Sequence, residues 1–371
     1  MSVTLDQVVA AMQAIAPLEL AEDWDNVGLL TAPTRPRRVS RALLTIDLTE
    51  PVLDEAIARK AELIIAYHPP IFDKLTRLTA GDKSRVITGA IESRIAIYSP
   101  HTALDAAPEG VNDFLARSFD ARDISPIQHH TTTPPTEELK VVVFVPHRSA
   151  DKLRNALAQA GAGTIGHYTH CSFNTPGTGT FLGDDTTNPV VGSAGRLESA
   201  DETRMEMVAS RAALPVIARA IDQHHPYEQP AWEVYPLESR PLRDTGIGRL
   251  VTLRKATSLD NITHQIKQHL GLDHVRLAAP TPRRSIKTIA LCAGAGHSVL
   301  APVTADLYLT GEMRHHDVLA ANARGTAVVL TDHTHTERPY LPILKKKLTQ
   351  QLSRAIAIDI AKRDREPLVI V

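Results

Sequence analysis

The sequence predicts an α/β fold: a layered core written in two halves, with a small ferredoxin-like domain of βαββαβ order inserted between them. Three observations predict it. Short apolar runs alternate with amphipathic stretches before residue 125. A block with its own strand and helix pattern occupies residues 138–240. The alternation then resumes over residues 241–371. A length of 371 residues suits more than one domain.

In the first half, residues 1–125, Val8, Val9, Met12, Ile15 and Ala16 recur at helical spacing. Thr4 stands before them as an N-cap, and Asp6 falls in the first turn. Residues 42–47 suit a strand, and 50–61 a helix with Pro51 in its first turn. Residues 63–67 form a buried strand that stops at His68-Pro69-Pro70. A helix over 86–92 and a strand over 95–98 follow. Residues 125–138 are rich in Pro, Thr and charge and read as a linker.

The inserted block begins with a strand over 139–145 and a helix capped by Ser149 that runs to Ala160. After the Gly161-Ala162-Gly163 break, 168–173 and 177–182 read as paired strands. A helix over 209–223 and a strand over 232–237 close the βαββαβ order. In the last half, 246–251 is a strand, and Ser258 caps a helix to Leu270. The strand 286–291 enters the turn Gly294-Ala295-Gly296. Strands over 305–309 and 326–330 flank a helix that starts near His315, and 340–352 is the closing helix.

Composition narrows the function. Basic and acidic side chains nearly balance, 41 against 42, so no bulk field draws nucleic acid or anionic lipid. Lys345-Lys346-Lys347 reads as a solvated helix end. Cys171 and Cys292 form no disulfide framework, which points to a reducing cytoplasm. No leader pattern opens the chain, and no uncharged apolar run is long enough to span a bilayer. There is no nucleophile elbow, zinc finger or Cys-X-X-Cys pair.

Three polar clusters follow apolar strands. Tyr67-His68-Pro69-Pro70 is the first, and its prolines fix the backbone around His68. Alone, a histidine there is more often a structural hydrogen-bonding residue. His101-Thr102-Ala103-Leu104-Asp105 is the second; its His and Asp share a face if the segment is helical. A capped turn explains it about equally well. Thr331-Asp332-His333-Thr334-His335-Thr336-Glu337 is the third, with the same four-residue offset. Imidazole and carboxylate suit zinc, manganese or iron. The plain alternative is a polar loop with an acidic helix start. In an α/β layer, three such strand ends can converge on one side. Glu312, His315, His316 and Asp317 can orient ligand histidines or merely start a helix. The Gly294-Ala295-Gly296 turn reads as tight packing with an anion-binding role open.

Taken in order, Glu22-Asp23-Trp24-Asp25-Asn26-Val27-Gly28-Leu29, Tyr67-His68-Pro69-Pro70-Ile71-Phe72, His101-Thr102-Ala103-Leu104-Asp105, Thr310-Gly311-Glu312-Met313, His315-His316 and His333-x-x-x-Glu337-Arg338 resemble the GTP cyclohydrolase I type 2-like proteins, also called the Nif-three-like family. The insert, through Gly195-Arg196-Leu197-Glu198 and His225-Pro226-Tyr227-Glu228-Gln229, is similar to PII and CutA proteins. The resemblance implies a toroidal homohexamer and two divalent metal ions per subunit. Carried over by position, His68, Asp105, His333 and Glu337 are the ligands. His101 is the candidate catalytic residue. The sequence departs from the family at Tyr67, where a second histidine is common. A neutral tyrosine, with an ordinary pKa of about 10, is a poor ligand, so the second ion is held loosely or recruits His101 or water.

The function these readings imply is a metal-dependent hydrolase of a nucleotide-like small molecule, with ring opening of GTP as the form the family name suggests. The alternative is a non-catalytic metal carrier, insertase or regulatory scaffold. The expected setting is the cytoplasm, with neither membrane nor direct nucleic acid as partner.

Overall fold

The computed structural model describes residues 2–34, 38–79, 83–281 and 285–369. The chain forms two compact units. One comprises Met1–His130 with Leu242–Val371, and the other Thr131–Pro241.

The first unit holds two sheets. One has the spatial order Gly28–Thr31, Ala96–Ser99, Leu63–Ala66, Arg41–Thr45, Ala357–Ile360. Its last four members run parallel to one another, and Gly28–Thr31 is antiparallel. The strands Arg41–Thr45, Leu63–Ala66 and Ala96–Ser99 are almost wholly buried. That explains their continuous apolar runs, because a parallel sheet is covered on both faces. Ala357–Ile360, which the sequence reading does not foresee, comes from the far end of the chain to pair with Arg41–Thr45.

The second sheet has the order Arg276–Ala278, Ala327–Leu330, Leu307–Thr310, Ile286–Leu291, Arg240–Thr257, Ala121–Thr132. Ile286–Leu291, Leu307–Thr310 and Ala327–Leu330 are parallel. The linker expected over 125–138 is here a correction: Ala121–Thr132 is a strand. It lies at a sheet edge, where exposed polar side chains and Pro126 are tolerated because one side of the ladder needs no donor. One apolar cluster joins side chains of both sheets, including Leu44, Ile65, Leu291, Leu309 and Val329.

Helix ends follow their sequence signals in two cases and not in a third. Thr4 caps Leu5–Ile15 and forms a reciprocal box with Gln7. The Ser258 hydroxyl accepts from Asn261 N–H, and Leu259–Leu270 stops at Gly271 in the left-handed conformation. Ser149 makes no such bond before Ala150–Gln159; it already belongs to a 3₁₀ turn over His147–Ser149.

The second unit has the strand order Phe173–Leu182, Leu197–Ala209, Leu139–Pro146, Trp232–Pro236. With helices Ala150–Gln159 and Leu214–His224 this is the βαββαβ arrangement. Two internal assignments move. Phe173–Leu182 is one strand, and its partner is Leu197–Ala209, not residues 168–173. Residue 209 ends that strand, and the following helix begins at Leu214.

Candidate metal centre

Parallel strands deliver their carboxyl ends to a common edge, which is where α/β sheets build sites. Arg41–Thr45, Leu63–Ala66 and Ala96–Ser99 therefore bring Asp47, His68 and His101 to one edge of the first sheet. Ile286–Leu291, Leu307–Thr310 and Ala327–Leu330 likewise bring Gly294, Gly311 and His333 together at one edge of the second. Tyr67 and His68 are drawn on past their strand by N–H bonds to Thr45 and Ile46 carbonyls. Asn112, fully buried, ties the two edges: its amide donates to the Asp105 carbonyl and accepts from Ala293 N–H.

The edges meet at Glu337. His68 Nε2 lies 3.4 Å from Glu337 Oε2, and His333 Nε2 lies 3.4 Å from Oε1. Ligand atoms of these three residues all fall within 4.8 Å of one another. Glu337 is 3% exposed, yet its Oε2 has no hydrogen-bond partner among the described residues. A buried carboxylate oxygen left in this state is costly unless a cation completes it. The spacing fits one: two ligands about 2.1 Å from a tetrahedral ion stand about 3.4 Å apart.

Surrounding groups hold these candidate ligands. His68 Nδ1 is 2.9 Å from Asp47 Oδ1, which leaves Nε2 to face Glu337. Burial works against a charged His68, but the hydrogen bond to Asp47 and the charge of the nearby Glu337 carboxylate outweigh it and lift its pKa to about 10. A metal would take the place of that proton. His333 Nδ1 has Glu312 Oε2 at 3.7 Å. Gly294, at φ +61°, forms the floor: a Cβ there would stand 2.9 Å from both Glu337 Oε1 and His333 Nε2. The turn it belongs to is spoken for. Gly294 N–H donates to Thr336 Oγ1 and Gly296 N–H to Thr310 Oγ1, so these donors do not serve an anion.

Asp105 has a different arrangement from the other three expected ligands. Its Oδ1 accepts from the Tyr67 hydroxyl at 2.5 Å. Protein crowds this carboxyl although its surface is only partly covered, and the desolvation raises its pKa to about 7. Burial and the nearby Asp105 and Glu337 charges push the Tyr67 hydroxyl well above its ordinary value, so the tyrosine stays a donor. The Cys292 thiol is also pushed up by burial and is no nucleophile.

His101 lies beside the group, its ring centroid 5.3 Å from that of His68. Its Nδ1 is 2.8 Å from Asp25 Oδ1. Burial opposes the Asp25 charge, but bonds from His101 and Thr102 hold its carboxyl below the usual range. With Nδ1–H given to Asp25, His101 Nε2 is free to accept. Trp24, Tyr67 and Phe72 pack edge-on around the imidazole. His101 and Asp332 both have positive φ, 25° and 69°, a backbone region non-glycine residues rarely adopt. His315 and His316 pair with each other at the start of His315–Ala323, and Asp317 pairs with His297 Nε2 at 3.4 Å. Of that polar cluster only Glu312 is seen against a ligand histidine. Sequence reasoning passed over Asp47 and Asp25 as working residues, although Asp47 follows a strand end just as His68 does.

The family model described as Duf34/NIF3 (NGG1p interacting factor 3) matches residues 3–367. The chain belongs to the DUF34/NIF3 family. It is 39% identical over 375 residues to NIF3-like protein 1 of Bos taurus, covering 99% of this chain and 92% of that protein. It is 33% identical over 356 residues to the GTP cyclohydrolase 1 type 2 homolog of Bacillus subtilis, with 95% and 92% covered. A Bacillus cereus protein related to NIF3 superposes over the whole of both chains with a TM-score of 0.67 and 30% identity. Staphylococcus aureus protein SA1388, at 24% identity and a TM-score of 0.73, has the same fold over 100% of this chain and 99% of that one. Among the described residues no helix is long and apolar enough to cross a membrane.

Proposed function

We propose that this protein is a metal-dependent hydrolase of a nucleotide-like substrate, with His68, His333 and Glu337 holding a divalent ion and Asp105 serving a second. The observation that carries the reading is the buried Glu337 carboxylate, which faces two imidazoles and whose Oε2 has no hydrogen-bond partner among the described residues. Relatives named GTP cyclohydrolase 1 type 2 homolog support the hydrolytic class. A bound ion would supply Lewis acidity at the reacting bond. The chain's own groups do the rest. Asp47 fixes the His68 ring, and Asp25 orients His101 so that its Nε2 can accept a proton from the attacking water. Glu312 opens onto a cleft of about 680 Å³, also lined by Arg276, Arg314 and His297. That volume takes a nucleotide, and the Arg314 guanidinium suits phosphate, whereas Arg276 is already paired with Asp332.

A carrier or insertase role is the second reading. It is favoured by His333, whose side chain is 34% exposed and so leaves the ion a path out. The homohexamer belongs to the same proposal, and sedimentation velocity tests it. The deciding experiment loads the protein with zinc, manganese or iron and offers GTP, other nucleotides and phosphoesters, with Glu337→Ala as control. Metal-dependent turnover that vanishes in the variant is expected. Stoichiometric metal with no turnover of any compound, and transfer of that metal to an apo acceptor, would replace the hydrolase by the carrier.

A further inference from the structure

The second unit carries a cleft of its own, about 480 Å³ in volume, which the metal chemistry does not use. This is the size of a small-molecule site, for which about 300–1,000 Å³ is usual. Its walls are Phe144, Phe181, Tyr227 and Val190, and its polar groups include Glu202 and Glu228. Among the described residues no lysine, arginine or histidine lines it.

The folding of this unit explains why these side chains meet. Along Leu139–Pro146 the side chains alternate: Val141, Val143 and Val145 join the core with Leu153, Leu157, Ile217 and Ile221. Phe144 therefore points to the opposite face of the sheet. Leu197–Ala209 pairs with Leu139–Pro146 on one side and Phe173–Leu182 on the other, with Phe181 opposite Glu198 and Gly179 opposite Ala200. Glu202 lies directly over Gly179, where an added Cβ would collide with its Oε2. The lack of a side chain at Gly179 is what gives this carboxylate its place.

The groups around Glu202 leave its charge exposed to the cleft. The Tyr227 hydroxyl is buried and adjacent to Glu202 but falls short of a well-formed hydrogen bond. His225 also lies near, yet it is committed elsewhere. Its Nε2 is 2.9 Å from the Phe144 carbonyl, and its Nδ1 accepts from Tyr227 N–H at 3.1 Å. One ring nitrogen accepting and the other donating describes a neutral imidazole. Arg148 acts on Tyr227 from outside the lining. Glu228 Oε1 accepts from Asn188 N–H, which pins the rim. Three aromatic faces and two carboxylates without a lining cation form an environment that favours positive charge on an apolar body.

We infer that this cleft is a binding site for a small organic cation, an ammonium group on an aromatic or aliphatic body, with Glu202 as its counter-ion and Phe144, Phe181 and Tyr227 as its walls. The site shares no residue with the metal centre, and the inference holds whether or not that centre is catalytic.

The test uses the full-length protein and three probes that share a phenyl ring: 2-phenylethylammonium, 2-phenylethanol and 3-phenylpropionate. Protein labelled with 4-fluorophenylalanine gives one fluorine resonance for each of its six phenylalanines, Phe144 and Phe181 among them. The ammonium probe is expected to shift those two resonances and to bind about tenfold more tightly than the alcohol or the carboxylate. Glu202→Gln should abolish that preference. Equal binding of the three probes, tighter binding of the carboxylate, no saturable shift at millimolar ammonium, or a preference that survives Glu202→Gln would each overturn the proposal. If Glu202→Gln disturbs the probe-free spectrum, Phe181→Ala replaces it. That variant must weaken the ammonium probe about tenfold, and unchanged affinity counts against the site.

Discussion

Glu337 is the residue on which the candidate centre turns, because burial leaves it no water and two imidazoles leave it no donor of ordinary geometry. Residues outside the candidate ligand set would govern how well an ion is held. Asp47 fixes the His68 ring through Nδ1, so Asp47→Asn should weaken zinc binding by about 10- to 100-fold without removing a ligand. Competition with a chromogenic chelator measures this, and unchanged affinity would show that Asp47 does not orient the ring. Gly294 has two reasons to be glycine. Its φ of +61° costs an L-residue about 1–2 kcal/mol, and an added Cβ would crowd both Glu337 and His333. Gly294→Ala should therefore lower denaturant stability by about that amount and reduce metal content at the same time. Stability loss with full metal content would leave the backbone argument standing and remove the crowding one.

Elements were readable where one periodicity dominated. The Ser258 cap, the apolar stripe and Gly271 agree on Leu259–Leu270. Ser258→Ala should destabilise the protein by about 1 kcal/mol in denaturant titrations, with the slope unchanged. At Ser149, by contrast, no cap bond forms, and Ser149→Ala serves as a control expected to cost nothing comparable. The misread elements share a cause. Leu197–Ala209 buries Met205, Met207 and Ala209 but alternates them with Arg204 and Glu206, so its charged face masks a strand of period two. Ala121–Thr132 is an edge strand with only Pro126 buried in its middle, and its composition is that of a linker.

At the scale of the whole molecule, the candidate ligands come from opposite ends of the chain and meet only in the folded state. That makes metal, protons and stability one linked system. In metal-free protein the His68 pKa rises from 6.5 to about 10 on folding. A raised pKa means the folded state binds the proton more tightly. The stabilisation is then complete below pH 6.5 and is lost as pH climbs through about 10. Asp105, raised from 3.8 to about 7, acts with the same sign in the window between those values. Thermal melts in chelator should show a falling midpoint from pH 7 to pH 10, with a shallower fall in His68→Ala. With metal bound the His68 proton is gone, and the same slope should flatten. A slope identical with and without metal would mean that His68 is not a ligand.

The sequence by itself determined the wholly buried parallel strands and the residues at their ends. Continuous apolar runs require burial on both faces, and a histidine that follows such a run, as His68 and His333 do, is held at a sheet edge. It also determined the family, through short polar strings kept in order along the chain. Only the tertiary structure decided which of those residues meet. Parallel pairing puts His68 and Asp47 on one edge, a second parallel set puts His333 and Gly294 on another, and the apposition of the two edges gives Glu337 its two imidazoles. It also assigned Asp105 to the Tyr67 hydroxyl and His101 to Asp25. Local pattern specifies what each segment buries, whereas contacts between residues more than two hundred positions apart depend on how the sheets are stacked.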